Sequence, residues 1–409
     1  MRFQALPGFR DFFPAEMATR RWIEQAWHQA SRVAGFQEVD GPVLESLELF
    51  TAKSGDEISA QLYCFSDKGA REVALRPEMT PTLARMIAAR AGGLPKPIKW
   101  YSVPQFFRYE KPQRGRGREF FQWNVDIVGA ASPAADAEAI SVALRALEIL
   151  GLDSRSLVVR INDRRFVRRV LEQLGVASDL EAQALGCIDK LERDPEARDR
   201  LEALVGTERG QQLVAYSDQF PLEQAKELKP VLDACEHFGI GAYIEADFKI
   251  VRGLAYYTGP VWEIFDRGRT LRAVAGGGRY DGLIASLGGP PLEALGFGMG
   301  DMVLTELLGE KGLLPEPPAR IEALVIPVGE EMLGAARRVA AQLRRAGVAA
   351  EAPYAARAVG KALRAAASAG ARRAVLVGPD EWKDDAVVLR DLESGEEKRI
   401  AIEQLGSLG

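Results

Sequence analysis

Basic residues cluster around one predicted hairpin between residues 94 and 129. Arg108 lies in a predicted strand at 106–110, with Glu110 beside it, and a second strand is predicted at 120–128. The loop between the strands carries three more arginines, Arg114, Arg116 and Arg118. Guanidinium groups bind phosphate oxygens through paired N–H donors. One arginine held on a strand and several on a loop predict a polyphosphate site, although a solvated hairpin tip carries the same charges.

A carboxylate and a hydroxyl stand two residues apart at Glu78 and Thr80, where a predicted strand at 72–75 meets a predicted helix at 80–91. Such a pair can hold an ammonium group through charge-assisted hydrogen bonds. The alternative is local: Thr80 caps the helix and Pro81 occupies its first position.

Three further segments combine glycine with arginine, tyrosine or aspartate. Residues 252–259, RGLAYYTG, predict the start of a strand in which one of the two tyrosines faces a pocket. Residues 275–282, AGGGRYDG, place a glycine run after a strand predicted at 271–275, and glycine admits a ligand close to the backbone. Residues 296–301, GFGMGD, predict a glycine-lined strand that leads into a helix. Core aromatics, a flexible turn and tight strand–helix packing are the respective alternatives.

The elements that must position these segments extend along 409 residues, a length that predicts two or three domains. A helix is predicted at 16–35, with Trp22 and Trp27 on one face that suits either the core or a dimer. The stretch from 162 to 230 is charged and helical, and strands alternate with helices after a proline-rich linker. The predicted segments are a first catalytic part at 1–161, a helical insertion at 162–235, a second catalytic part at 236–312, a linker at 313–319 and a C-terminal domain at 320–409.

Composition excludes several classes of protein. The chain is 47% hydrophobic and 27% charged, which is typical of globular domains. No apolar run approaches the ~18 residues that cross a bilayer, and the N-terminus lacks an apolar signal core, so we expect a cytoplasmic protein without membrane contact. With two histidines and three scattered cysteines, neither a zinc site nor a disulfide framework nor another protein metal site is predicted.

Taken together, these segments resemble the histidyl-tRNA synthetases over nearly the whole chain. PGFRD at 7–11 resembles their N-terminal signature, 35–42 resembles class II motif 1, and FRYE at 107–110 resembles motif 2. RGLAYYTG and AGGGRYDG resemble the two histidine signatures. The resemblance implies an α+β fold, with a class II antiparallel-sheet catalytic domain, a helical insertion and a C-terminal α/β anticodon-binding domain.

The resemblance also implies a reaction. ATP, with Mg²⁺, would activate L-histidine as histidyl-adenylate, and the acyl group would pass to tRNA(His) on a homodimer. The implied catalytic residues are Arg108 and Arg252. Those implied for ATP are Arg108, Glu110, Arg116 and Arg118. Those implied for histidine are Glu78, Thr80, Gln122, Asp126, Tyr257 and Tyr280.

The chain departs from the family pattern at three positions. Asp126 and Ala255 stand where glutamate and aspartate are common, and Val303 stands where motif 3 carries an arginine for the ATP γ-phosphate. We expect an arginine of the 114–118 loop to replace that cation. Two alternatives to the synthetase remain: a regulatory subunit of ATP phosphoribosyltransferase, which would lack the C-terminal domain, and an inactive tRNA-binding protein.

Overall fold

The computed structural model describes residues 3–51, 60–252, 256–268, 270–316 and 320–408. The sequence also predicts a short polar helix or turn at 56–61, which lies mostly outside these residues, as does Ala255. The chain divides into two compact units, Met1–Pro315 and Glu316–Gly409. Each unit has a hydrophobic core of its own.

The first unit is built on a nine-stranded sheet, with a separate three-stranded sheet of order β2-β4-β3. The large sheet runs β1-β5-β7-β12-β11-β10-β8-β9, with β6 paired to β7 beside this path. Its two end pairs, β1 with β5 and β8 with β9, are parallel, whereas the inner pairs are antiparallel. The strands are β1 (Gln37–Glu38), β2 (Leu44–Ser46), β3 (Tyr63–Ser66), β4 (Glu72–Leu75), β5 (Ile98–Ser102), β6 (Gln105–Phe107), β7 (Glu119–Val128), β8 (Leu157–Asp163), β9 (Ile244–Ala246), β10 (Pro260–Asp266), β11 (Ala275–Arg279) and β12 (Ala294–Gly300).

The helices of this unit are α1 (Pro14–Val33), α2 (Leu47–Thr51), α3 (Thr80–Arg90), α4 (Pro133–Ile149), α5 (Arg164–Gln173), α6 (Glu181–Ile188), α7 (Ala197–Val205), α8 (Thr207–Asp218), α9 (Lys229–His237), α10 (Leu283–Ser286) and α11 (Asp301–Glu310). Most of them pack into the core of the large sheet, whereas α3 and α10 contribute to a second hydrophobic cluster. The predicted helical stretch corresponds to α5–α9. Within this stretch the sequence predicts a helix at 222–229 and none at the position of α8. Both predictions are wrong, because α8 forms and only a short 3₁₀ turn, Leu222–Gln224, lies in the first part of 222–229.

Strand β7 connects the core to the site, because its side chains alternate between two faces. Trp123, Val125 and Ile127 are buried in the core. The Trp123 ring stacks on Trp27 of α1, with ring centroids 6.2 Å apart. The buried face of α1 therefore belongs to the intramolecular core. Of the two roles that the sequence allowed for this face, core or dimer contact, the structure favours the core.

The second unit holds a five-stranded sheet of order β14-β13-β15-β16-β17. Strands β13–β15 pair in parallel, and β16 and β17 extend the sheet in antiparallel fashion. The alternation of strand and helix predicted after the linker is confirmed. The elements are β13 (Ala323–Pro327), α12 (Leu333–Arg345), β14 (Ala350–Glu351), α13 (Val359–Ser368), β15 (Arg373–Val377), α14 (Pro379–Lys383), β16 (Ala386–Asp391) and β17 (Glu397–Ala401).

Three local predictions are corrected. Strand β6 ends at Phe107, so Arg108 follows the strand instead of lying on it, although its backbone N–H still donates to Arg118 O at 2.9 Å. The glycine run lies within β11, not in a turn after a strand. Tyr256 and Tyr257 precede β10, which begins at Pro260.

Candidate active site

Two cavities adjoin in the first unit. One has a volume of about 70 Å³ and the other about 630 Å³. Of the residues that the structure describes, five line both cavities: Arg108, Gln122, Arg252, Gly276 and Gly298. The two arginines implied by the resemblance as catalytic therefore lie at the junction of a small polar pocket and a larger basic cavity.

The small pocket takes one wall from the ligand-facing side of β7. Gln122, Asn124 and Asp126 follow one another at every second position and all line the pocket. The opposite walls come from Glu78 and Thr80 at the start of α3, from the tyrosine pair before β10 and from Tyr280. All six residues implied for histidine, Glu78, Thr80, Gln122, Asp126, Tyr257 and Tyr280, are thus brought together.

Glycines on β11 and β12 form the floor of this pocket. A Cβ on Gly298 would stand 2.7 Å from Cδ and Oε1 of Gln122. A Cβ on Gly296 would collide with the Asp126 carboxylate, and one on Gly276 would collide with the Arg252 guanidinium. The glycine run is therefore needed for space next to these side chains, and a flexible turn does not explain it.

Asp126 and Tyr280 form a buried pair at the end of the pocket, where the Tyr280 hydroxyl donates a short hydrogen bond to Asp126 Oδ1. Burial raises the pKa of the Asp126 carboxyl to about 7, although the hydrogen bond from Tyr280 opposes the shift. Burial, together with the Asp126 charge, also raises the pKa of Tyr280. A nitrogen heterocycle, neutral or singly charged, that donates a hydrogen bond to Asp126 would favour the ionised form of the Asp126 carboxyl.

Glu78 is 5% exposed and incompletely paired. Its Oε2 accepts a hydrogen bond from the Tyr256 hydroxyl at 3.1 Å, whereas its buried Oε1 has no partner among the described residues. Burial raises the pKa of Glu78, while Arg108 and Tyr256 act in the opposite direction. A buried carboxylate oxygen without a partner is costly, so it suits a ligand that donates hydrogen bonds. Thr80 does not act as the N-cap: the N-cap residue is Met79, and no side-chain capping bond forms.

Arg108 is oriented by its surroundings. Its Nε donates to Pro77 O at 3.0 Å, and its guanidinium carbon lies 5.0 Å from the centroid of the Phe120 ring. The contact with Pro77 holds Arg108, which lines both cavities, next to the segment that carries Glu78.

Arg252 adopts a positive φ of 52°, which is uncommon for a residue with a side chain. Buried Arg164 braces it from α5 by donating to three backbone carbonyls, those of Val251 at 2.9 Å, Arg252 at 2.9 Å and Tyr257 at 3.0 Å. The Arg252 Nη1 lies 3.3 Å from Glu263 Oε1, and its buried Nε has no partner among the described residues. Both Glu78 and Arg252 thus present unpaired polar atoms to the same pocket.

The hairpin arginines separate into different surroundings. Arg116 lines the larger cavity and pairs with Glu110 at 2.8 Å. Arg118 lies outside the lining residues, with its guanidinium carbon 4.3 Å from the Tyr109 ring centroid. Arg114 is exposed and pairs with Glu306 at 2.9 Å and Glu310 at 2.6 Å. Val303 also lines the cavity, packed close to Gly115.

Sequence reasoning missed three residues of this site: Asn124, Tyr256 and Arg164. Asn124 lies between two residues assigned to the pocket, so the period of two along β7 contained the necessary signal. Tyr256 was excluded because the tyrosine pair was placed in a strand, which would turn one ring away. No sequence pattern indicated that Arg164 reaches three distant carbonyls.

Among the residues that the structure describes, no group of three or more histidine, cysteine, aspartate or glutamate side chains could hold a metal ion. No helix in the same residues is long and apolar enough to cross a membrane.

Comparisons with known proteins agree with this architecture. A family model for histidyl-tRNA synthetase matches residues 8–302, and one for an anticodon binding domain matches residues 322–408. A histidine–tRNA ligase from Opitutus terrae is 40% identical over 99% of this chain and 98% of its own length. A chloroplastic/mitochondrial histidine–tRNA ligase from Arabidopsis thaliana is 39% identical over 97% of this chain and 85% of its own length. The crystal structure of histidyl-tRNA synthetase from Nostoc sp. PCC 7120 has a TM-score of 0.82 at 24% identity, with 100% of this chain and 98% of that chain covered.

The large sheet is mostly antiparallel, carries a basic hairpin and a pocket with a glycine floor, and is followed by a separate α/β unit. These features define a class II aminoacyl-tRNA synthetase. The family match covers more than half of the chain, and the relatives align over nearly their full lengths. The chain therefore belongs to the histidyl-tRNA synthetase family.

Proposed function

We propose that the chain ligates histidine to tRNA(His), with ATP as the second substrate and histidyl-adenylate as the intermediate. The observation that carries this function is the position of Arg108 and Arg252 at the junction of the two cavities. Histidine occupies the small pocket and ATP the larger cavity, so the histidine carboxylate meets the α-phosphate between two guanidinium groups. These cations favour the negative charge that develops as the carboxylate attacks.

In the small pocket, Glu78 accepts from the α-ammonium group of histidine, with Thr80 and Gln122 beside it. Its unpaired buried oxygen supports this role. Asp126 accepts a hydrogen bond from an N–H of the imidazole ring. Tyr280 orients the carboxylate of Asp126 through its hydroxyl, and Tyr257 packs against the imidazole ring. A substrate without ring nitrogens leaves the buried Asp126 unpaired, which is the physical basis of selectivity.

In the larger cavity, Arg108, Arg116 and Glu110 contact ATP. Arg118 contributes indirectly, because it supports the hairpin through a bond from its Nε to Glu110 O at 3.1 Å. Mg²⁺ takes oxygen ligands, and the carboxylates of Glu110 and Glu263 line the cavity where it would be held with the phosphates. When bound, the ion neutralises charge on the leaving pyrophosphate.

The second unit binds tRNA(His), in agreement with the match of residues 322–408 to an anticodon binding domain. The same match disfavours the regulatory-subunit alternative, for which no such domain is expected. We propose the cytoplasm as the site of the reaction, which cell fractionation tests directly.

We also propose a homodimer formed through the motif 1 region. Leu44 and Phe65 lie on the outer strands of the three-stranded sheet, and the pairing register puts them on one face. They are 40% and 49% exposed, and neighbouring Val43 is 44% exposed. Leu44→Asp is expected to shift the mass measured by light scattering toward that of the monomer. An unchanged dimer mass would place the interface elsewhere.

The decisive experiment measures histidine-dependent exchange of pyrophosphate into ATP, followed by aminoacylation of tRNA(His). Wild-type protein is expected to perform both reactions. Arg252→Ala should lose exchange by a factor of about a hundred or more, since removal of one charged transition-state donor costs about that much. Arg267→Ala, at an exposed arginine paired with Glu245, serves as the control. Absence of exchange in wild-type protein would leave the regulatory or inactive alternatives.

A further inference from the structure

Among the described residues, the larger cavity contains one cation that has no carboxylate within 4 Å. Every other described arginine or lysine that lines the cavity has such a partner, although Arg108 and Arg116 share Glu110. The pairs are Arg108–Glu110, Arg116–Glu110, Arg160–Glu192, Arg193–Asp189, Lys249–Asp247 and Arg252–Glu263. Arg272 has no such partner among the described residues, and its Nη2 donates instead to the neutral amide oxygen of Gln113 at 3.0 Å.

The bond to Gln113 places Arg272 at the tip of the basic hairpin. Gln113 and Arg116 are joined by two backbone hydrogen bonds of 2.9 and 3.1 Å. Between them, Gly115 packs so closely on Val303 that a Cβ there would lie 3.1 Å from Val303 Cγ2. Arg272 and Val303 therefore contact the same short loop, and both line the larger cavity.

The position of Arg272 along the cavity indicates which part of a ligand it meets. Arg108 and Arg252 line both cavities, whereas Arg272 lines only the larger one. A nucleotide whose α-phosphate lies between Arg108 and Arg252 extends its remaining phosphates away from the small pocket. Partial burial, with Arg116 and Arg193 nearby, lowers the pKa of the Arg272 guanidinium. An anion at this point relieves the repulsion among these cations.

We propose that Arg272 binds the terminal phosphate of ATP and supplies the positive charge that Val303 cannot. This inference rests on the proposed function, and it differs from the expectation that an arginine of the 114–118 loop does so. Arg114 does not line the larger cavity and is paired with Glu306 and Glu310. Arg116 lines the cavity but is held by Glu110 at 2.8 Å, whereas Arg272 is held by a neutral amide oxygen and contacts the loop that packs on Val303.

The test compares ATP with AMP, which lacks the terminal phosphates, in calorimetric titrations of the full-length protein with Mg²⁺. Arg272→Gln is expected to weaken ATP binding about tenfold or more and to leave AMP binding within about twofold, since one charge-assisted contact is lost. Arg272→Lys, which keeps the charge, should lose less. Arg155→Gln, at an arginine that is 91% exposed and pairs with Asp153 outside both cavities, is the control and should bind both nucleotides like wild type. Equal weakening of ATP and AMP, or unchanged ATP binding, overturns the proposal.

A second variant separates the cation from any effect on folding. In the Arg272→Gln background, Val303→Arg is expected to recover part of the lost ATP affinity, because it returns a positive charge to the same end of the cavity. Melting temperatures of all variants identify any that do not fold, and Arg272→Lys then decides the case. If wild-type protein exchanges pyrophosphate while Arg272→Gln keeps wild-type ATP affinity, only this inference fails. If wild-type protein lacks exchange, the proposed function fails.

Discussion

At the scale of single residues, the role proposed for Asp126 in histidine binding carries a cost to folding. Its pKa of about 7 in the folded chain exceeds the value of 3.8 that is usual for an exposed aspartate. Between these two pH values the folded protein holds a proton that the unfolded chain has released, so stability decreases as pH rises through this window. A buried carboxylate that must ionise to accept from an imidazole N–H is therefore destabilising under the conditions in which it works.

Asp126→Asn is expected to increase the free energy of unfolding at about pH 8 and to weaken histidine binding. The stability gain should approach zero near pH 4 and grow to a few kcal/mol above pH 7, because asparagine stays neutral. Urea unfolding across this pH range measures the gain, and the KM for histidine in pyrophosphate exchange measures the loss. Asp380→Asn, at an exposed carboxylate, is the control. A stability gain that does not depend on pH would contradict the shifted pKa of Asp126.

Gly298→Ala tests the pocket floor. The added Cβ would stand 2.7 Å from the Gln122 side chain and displace it from the pocket. The KM for histidine should rise about tenfold or more, since a contact to a charged group is lost. Gly186→Ala, in α6 with open space around its Cβ position, should leave that KM unchanged. Normal histidine kinetics in Gly298→Ala would show that Gln122 is not needed in its present position.

At the scale of elements, α5 acts at a distance through one side chain. Arg164 donates to the carbonyls of Val251, Arg252 and Tyr257, so the helix fixes the backbone on both sides of the segment that carries Arg252. Arg164 is thus a positioning residue, since it does not line either cavity.

Arg164→Met is expected to lower the kcat of pyrophosphate exchange and to destabilise the first unit by about 3 kcal/mol. The physical reason is that buried carbonyl groups lose their donors. Arg168→Met, on the same helix, breaks only an exposed pair with Glu181 and should cost less than about 1 kcal/mol. Exchange kinetics and urea unfolding measure the two effects. A wild-type kcat in folded Arg164→Met protein would exclude the positioning role.

Elements with a strong local pattern were predictable from the sequence. The hairpin of β6 and β7, the strand at 294–300 with the helix after it, and the alternation in the second unit follow from periodicity and glycine punctuation. Where the local pattern was ambiguous, the prediction failed. The run Gly276–Gly278 has weak strand propensity, yet pairing with β10 and β12 on both sides holds it in the sheet.

The site itself could be assembled from the sequence only as separate motifs. The resemblance supplied the candidate residues, but residues 78, 126, 252 and 280 come together in one pocket through the tertiary fold, which no local pattern contains. The pairing of charges in the larger cavity was only partly predictable. Arg116 pairs with nearby Glu110, whereas Arg160 and Arg252 pair with Glu192 and Glu263 of other segments. Arg272 had no distinguishing sequence feature at all.

At the scale of the whole molecule, the division after Pro315 separates two tasks. All described residues that line the two cavities belong to the first unit, whereas the match to an anticodon binding domain lies entirely in the second. Each unit has its own hydrophobic core, so neither depends on the other to bury its apolar side chains.

A chain that ends at Pro315 is expected to retain histidine-dependent pyrophosphate exchange within about tenfold and to lose most of its affinity for tRNA(His). Adenylate formation needs only the two cavities, whereas anticodon contact needs the second unit. Exchange assays and filter binding measure the two properties, with the full-length protein as the reference. Unchanged tRNA affinity in the shortened chain would contradict the role assigned to residues 322–408.

The glycine-lined floor on β11 and β12 has a consequence for drug resistance. Resistance to an inhibitor commonly requires a side chain that can change and still permit the natural reaction. Where Gly276, Gly296 and Gly298 approach the pocket, any replacement adds a Cβ that collides with Arg252, Asp126 or Gln122. A compound that rests on this floor contacts backbone atoms, so a mutation that dislodges it also disables the enzyme.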